Sequence, residues 1–352
     1  MSGRAISRRA VLKGAVAASA GVALGGAGAA LILERRPRPW DADAFPPPGT
    51  SRVAVVKASA YDDRLEAIVT DGLRAVGADV GGRSVLLKPN LVEYDPTTAI
   101  NTDPRLVAAT VFALRRLGAR SIIVAEGPGH RRDLEYVLTA SGLLEGLAAV
   151  EAPFVDLNAA PLVRRSLRSS FTDLGELWLP APVVEADVVV SMPKMKTHHW
   201  AGATLSLKNC FGCVPGRIYG WPKNVLHWAG LNEAIVDVAA AVRPGLQIVD
   251  GIVGMQGNGP IQGEPVHAGI LVFGNDPVST DVTAARLMGL VPERIPSIEG
   301  AGRFLGQADP ERIRQEGEPV DRNAVNFEVL PQFRSLRVGS SPAAGALDAG
   351  PA

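Results

Sequence analysis

The chain has 352 residues, 47% of them apolar and 20% charged, which is an ordinary globular balance. Its 36 basic and 36 acidic residues cancel, and nothing in that balance gives a nucleic-acid footprint, so no nucleic-acid partner is expected. With only two cysteines, Cys210 and Cys213, a disulfide framework is excluded.

Residues 1–33 carry Arg4, Arg8, Arg9 and Lys13 and no acid, which leaves 32 basic against 36 acidic residues in the remainder. Ser7-Arg8-Arg9-Ala10-Val11-Leu12-Lys13 precedes a Gly/Ala-rich apolar run to Leu33, and together they look like a twin-arginine export signal. The run is long enough to span a bilayer, but its glycines and alanines make it only weakly hydrophobic, which favours a signal over a membrane helix. Ala27-Gly28-Ala29 offers a small-residue cleavage site, and an uncleaved anchor is the alternative. The expectation is therefore a protein carried in folded form across the cytoplasmic membrane by the twin-arginine export machinery, into the periplasm or cell envelope. Residues 34–51 read as a Pro-rich linker, 52–335 as one α/β domain, and 336–352 as a flexible tail rich in small residues.

Beyond the linker, short β-branched runs alternate with helical patterns. The sequence predicts strands at 52–58, 84–92, 121–127, 154–158, 187–193, 246–254 and 269–274. Between and after them it predicts helices at 64–76, 103–117, 132–141, 231–242 and 277–288. Pro104 sits in a first turn, and Asp276 before Pro277 is an N-cap. This alternation argues for an α/β fold with a largely parallel sheet covered by helices on both faces. Runs such as Val188-Val189-Val190 suit strands buried on both sides.

In such sheets ligands bind beyond the carboxyl ends of the strands. Those ends here carry Lys88 with Asn90, Glu126, Asp156, the set Lys194, Lys196 and His198, and Asp250. In an extended segment Lys194, Lys196 and His198 share one side, and three cations on one face repel unless an anion lies between them. Either lysine would serve as base or nucleophile once crowding lowers its pKa. Thr204, Ser206 and Lys208 share a parity in 202–212; if extended, they offer two hydroxyls and an ammonium to an oxyanion, with Asn209 beside them. The Gly-rich stretch 250–265 brings Gly257 and Gly259, whose backbone amides would approach an anion; it is not a dinucleotide or P-loop fingerprint. Glu126 and Asp250 are the carboxylates a divalent metal would take. Cys210 and Cys213 have the spacing of half a metal site or a redox pair, or are buried thiols or an i,i+3 disulfide formed after export. Trp200, Trp221 and Trp228 either line a pocket or anchor a long loop.

"LLKPNLV", "SMPKMKTHHWAGATLSLKNCFG" and "VDGIVGMQGNGPIQGEP", in this order, resemble the DUF362 family, a bacterial and archaeal domain of unknown function. The resemblance covers residues 53–290. It implies signature positions at Lys88, Pro89, Asn90, Lys194, Lys196, Thr197, His198, Gly202, Thr204, Lys208, Asn209, Asp250, Gly257, Gly259 and Pro260. Some members are joined to ferredoxin-like iron–sulfur modules and others carry export signals, so a separate iron–sulfur or redox partner is implied. This chain lacks a ferredoxin-type cysteine array, so no intrinsic cluster is expected, and the cofactor is left unnamed. Gln256 stands where members often show an acid. The leading expectation is an enzyme-like domain that clamps an anionic small molecule (carboxylate, phosphate or charged cofactor) with Lys88, Lys194, Lys196 and Lys208, His198 or a lysine handling a proton. A redox or metal-associated accessory protein and a non-catalytic envelope solute-binding protein are the alternatives.

Overall fold

A computed structural model of the chain describes residues 38–129 and 133–341. The expected signal at 1–33 and residues 342–352 of the expected tail lie outside them. Among the described residues, no helix is long and apolar enough to cross a membrane.

The strands are β1 (Ser51–Lys57), β2 (Ser84–Pro89), β3 (Ser121–Glu126), β4 (Phe154–Asp156), β5 (Leu162–Ser166), β6 (Glu176–Pro180), β7 (Val188–Met192), β8 (Lys194–His198), β9 (Gly202–Thr204), β10 (Leu246–Gln256), β11 (Glu264–Gly274) and β12 (Ile313–Gly317). The main sheet runs β12-β1-β11-β10-β7-β2-β3-β4, with β8 paired to β10 and β9. From β10 across to β4 every pairing is parallel, and β11 is the antiparallel insertion between β10 and β1.

Residue alternation along the strands explains the two helical layers. Ala54, Val85, Leu87, Val190, Ile248, Leu271 and Phe273 pack with the helices Leu65–Ala75, Pro104–Arg116 and Leu143–Ala149. Their strand neighbours Val53, Leu86, Val189, Val249 and Val272 pack with the helices Leu231–Val242, Pro277–Leu287 and Pro296–Gly302. Successive side chains of a strand point to opposite faces, so a strand that is apolar on both parities must be covered twice. Local chemistry fixes the helix starts. The Asp103 carboxylate accepts from Arg105 N at 2.9 Å, and Asp276 accepts from Val278 N at 2.9 Å and Ser279 N at 2.8 Å.

The chain winds from β2 to β3 to β4, then returns to lay β7 against the other side of β2 and continues to β10. The strand order therefore reverses between β2 and β7, which is where open α/β sheets place their ligands.

Three expectations are corrected. The stretch 250–265 is mostly an antiparallel hairpin of β10 and β11, and only its tip is a loop. The segment 202–212 is not extended throughout: after β9 it turns into the short helix Ser206–Asn209 and the 3-10 turn Cys210–Cys213. The cause is tertiary, because Asp281 accepts from Ser206 N at 2.7 Å and Leu207 N at 3.0 Å and so caps that helix from elsewhere in the chain. Finally, the β5–β6 hairpin, the helix Pro296–Gly302 and β12 are elements that the apolar pattern did not single out.

Candidate functional site

A cavity of about 420 Å³ opens beyond the ends of β2 and β3, against β8. Lys88 and Asn90 reach it from the end of β2, Glu126 from β3, Lys196 and His198 from β8, Thr204 from β9, and Lys208 and Asn209 from the short helix. Lys223, His199 and His227 complete the ionisable wall. Leu91, Val92, Trp200, Phe211, Pro222 and Ile261 supply its apolar part.

At its base Lys88 and Glu126 form a fully buried ion pair. Lys88 Nζ also donates to Asn209 Oδ1 at 3.0 Å and Pro89 O at 2.9 Å, while Glu126 accepts from Gly127 N at 3.0 Å. Desolvating two charges is tolerated only with such additional hydrogen bonds. Gly212 is obligatory beside them, since a Cβ there would overlap the Glu126 carboxylate and the Lys88 ammonium.

Three further lysines face the cavity without a carboxylate. Lys196 Nζ donates to Ile100 O at 2.9 Å and Pro260 O at 3.2 Å. Lys223 Nζ donates to Gly127 O at 2.8 Å and to Phe211 O. Lys208, half-buried, lies 4.3 Å from the Phe211 ring centre and has no hydrogen-bond acceptor among the described residues. Burial first, then repulsion from Lys194, Lys208 and Lys88, holds Lys196 well below the usual lysine range. Burial with repulsion from Lys88 brings Lys208 down to about 8. Burial, only partly offset by Glu126, brings Lys223 down to about 7.

The histidines divide by tautomer. His198 Nδ1 accepts from Trp200 N at 3.0 Å and Ala201 N at 3.1 Å, so the neutral ring carries its proton on Nε2. Burial, with Lys208 nearby, keeps that ring neutral by lowering its pKa well below 6.5. His199 Nδ1 lies 2.7 Å from Gly259 O and His227 Nδ1 lies 3.0 Å from Lys223 O. A carbonyl only accepts, so both rings protonate Nδ1 and leave Nε2 bare. Asn90 Oδ1 and Thr204 Oγ1 are buried in the cavity wall with no partner. Such atoms cost free energy unless something fills the space beside them.

Several expected residues stand elsewhere. Lys194 does not line the cavity. Its register neighbour on β10 is Asp250, whose carboxylate accepts from Lys194 Nζ at 2.6 Å, from Tyr61 Oη at 2.8 Å and from Asp103 N at 3.0 Å. Asp250 is thus tied up outside the cavity, and Glu126 and Asp250 each hold a lysine in separate pairs. That arrangement does not fit the shared divalent metal expected of them. No cluster of three or more His, Cys, Asp or Glu side chains suited to a metal occurs among the described residues. Ser206, expected to offer a hydroxyl beside Thr204 and Lys208, is buried away from the cavity where its amide meets Asp281. Gly257 and Gly259 brace β8 instead of lining the cavity: Gly257 O accepts from Thr197 Oγ1 at 3.0 Å and Gly259 O from His199 N at 2.9 Å. Asn258 and Pro260 line it in their place. Cys210 and Cys213 are free, fully buried thiols in the apolar core. Burial pushes Cys210 well above its ordinary range and Cys213 to about 12, which disfavours the thiolate that redox or metal chemistry needs.

Sequence reasoning missed Lys223. The signal that finds it is an absence of acid: no Asp or Glu occurs between Asp187 and Glu233, while Lys194, Lys196, Lys208, Arg217 and Lys223 do. The cations of that stretch have no neutralising neighbours along the chain.

Comparison with known proteins gives a match between residues 85–286 and the model of a family described as "Domain of unknown function (DUF362)". The chain is 33% identical over 232 residues to the thylakoid-associated protein sll1697 of Synechocystis sp., covering 63% of this chain and 68% of that protein. Among solved structures it is similar to the lactate racemase apoprotein from Thermoanaerobacterium thermosaccharolyticum, with a TM-score of 0.40 and 14% identity over 64% of this chain and 55% of that one. A protein from Thermotoga maritima matches with a TM-score of 0.30 and 12% identity over 57% of this chain and 52% of that one.

Proposed function

The chain belongs to the DUF362 family, whose name assigns no reaction, and from the cavity itself we propose that it binds an anionic small molecule there. One observation carries this reading: four lysines, Lys88, Lys196, Lys208 and Lys223, line the cavity against one carboxylate, Glu126. An excess of buried ammonium groups is unfavourable by itself and is relieved by an anion. Thr204 and Asn90 stand ready as neutral partners. Of the residues expected to do chemistry, Lys196 and His198 remain at the cavity, and Lys194 holds Asp250 instead. Lys208 and Lys223, with pKa values brought near neutrality, and the bare Nε2 atoms of His199 and His227 are the groups that would move a proton if the ligand is turned over.

We also place the protein at the cell envelope. The twin-arginine-like segment Ser7 to Lys13 supports export of the folded chain, and the Synechocystis relative is named as thylakoid-associated. Burial of Cys210 and Cys213 in the apolar core supports the anion-binding reading over the redox-accessory alternative.

The test is thermal unfolding of the purified protein at fixed ionic strength with phosphate, sulfate, succinate, citrate and acetate. A ligand of the folded state raises the transition by mass action. The expected result is a dose-dependent rise for at least one anion that Lys208→Gln removes. Identical curves for wild type with and without every anion would refute the reading. Native mass spectrometry of material folded in the cytoplasm then shows what the protein retains. Assay of that compound separates an enzyme from a solute-binding protein.

A further inference from the structure

Resting on the anion-site reading, we infer that the occupant carries at least two negative charges and enters the cavity together with protons that recharge its lysines. Glu126 cancels Lys88, so Lys196, Lys208 and Lys223 are left without a carboxylate. Lys196 and Lys223 each donate to two carbonyl oxygens, which solvate an ammonium but do not cancel its charge. Lys208 lacks even that, because among the described residues its Nζ meets only the Phe211 ring. A single negative charge would therefore leave most of the excess in place, whereas a dianion such as a dicarboxylate, a sulfate or a phosphate ester removes most of it.

The ionisable groups around Lys208 decide the proton balance. Lys88, Lys196, Lys223, His198, His199 and His227 face the same cavity, Glu126 lies at its base, and Asp281 sits behind the helix that carries Lys208. Apart from the two carboxylates, each of these groups is either cationic or neutral. With the cavity empty, burial and mutual repulsion favour neutral amines, and Lys208 and Lys223 titrate at about 8 and about 7. An anion placed among them reverses that preference. Binding then draws protons from solvent above those values, and little at lower pH, where the amines are already charged. Affinity accordingly falls about tenfold per pH unit for each proton taken up.

Isothermal titration calorimetry in two buffers of different ionisation enthalpy tests this on the full folded protein. The probes are sulfate, succinate and acetate at equal ionic strength, at about pH 8.5 and about pH 6. Expected are dianions bound about tenfold or more tighter than acetate, with uptake of roughly one proton or more at the higher pH and less at the lower. Lys208→Arg, which cannot titrate, should keep the binding and lower the uptake at the higher pH, while Lys208→Gln should weaken the binding itself. Acetate binding as tightly as the dianions, or dianions binding at high pH without proton uptake, overturns the inference while the anion site stands. Failure of every probe to bind protein that melts cooperatively overturns both.

Discussion

Two buried lysines with similar surroundings do different work, and their partners decide which. Lys88 and Lys194 both end in a carboxylate, but Lys88 does so in the cavity wall and Lys194 does so outside it. Lys194→Met strands the Asp250 carboxylate in the interior, which costs about 3–5 kcal/mol. Urea unfolding should show that loss, while any anion-induced rise in the melting transition persists. The converse is expected of Lys208→Gln: stability at or above that of wild type, because the change removes an ammonium that lacks an acceptor and repels Lys88, with the anion response gone. Gly212→Ala belongs to a third class. Its methyl would displace the Lys88–Glu126 pair, and overpacking of this kind costs about 1–3 kcal/mol. Both stability and anion response should fall together.

The short helix Ser206–Asn209 carries two cavity residues and exists through a partner from another element. Burial raises the pKa of Asp281, its cap, from 3.8 to about 7, against the opposing pull of the Leu207 and Ser206 amides. The fold therefore binds this proton more tightly than the unfolded chain. The group's contribution to stability is greatest below about pH 4 and is lost as pH rises toward 7. Wild type should lose more thermal stability between about pH 5 and pH 8 than Asp281→Asn does, and equal slopes would contradict that. The same helix marks a limit of sequence reading. "GATLSLKN" has the parity of a strand, and nothing within it announces a cap that lies in the helix Pro277–Leu287. The central strands were legible because they are apolar on both parities and must be buried. β12, "IRQEG", was not, because an edge strand beside β1 needs only backbone pairing and keeps polar side chains. Lys88, Glu126, Lys196 and His198 were legible from their positions at strand ends. Lys223 was not, because it does not end a strand and its place depends on the carbonyl of Gly127, 96 residues away, as well as that of Phe211.

At the scale of the molecule, the C-terminal segment after β12 ties the helix Pro277–Leu287 to the tip of the β10–β11 hairpin. Val325 N and Phe327 N donate to Leu287 O at 2.7 Å and Met288 O at 3.0 Å, and Glu328 O accepts from Gly257 N at 2.8 Å. Phe327 is fully buried against Gly254, the residue that lets β10 approach β8. Phe327→Ala should cost about 3–5 kcal/mol, read by chemical denaturation, and should loosen the hairpin tip that carries Pro260. The cavity also lies between the ends of β2 and β3, in the earlier-wound half of the sheet, and β8, in the later-wound half, across the seam between them. A guest lodged there grips both halves at once, as a pin does through the leaves of a hinge. Filling it would slow deuterium entry into the amides along that seam before those anywhere else in the sheet.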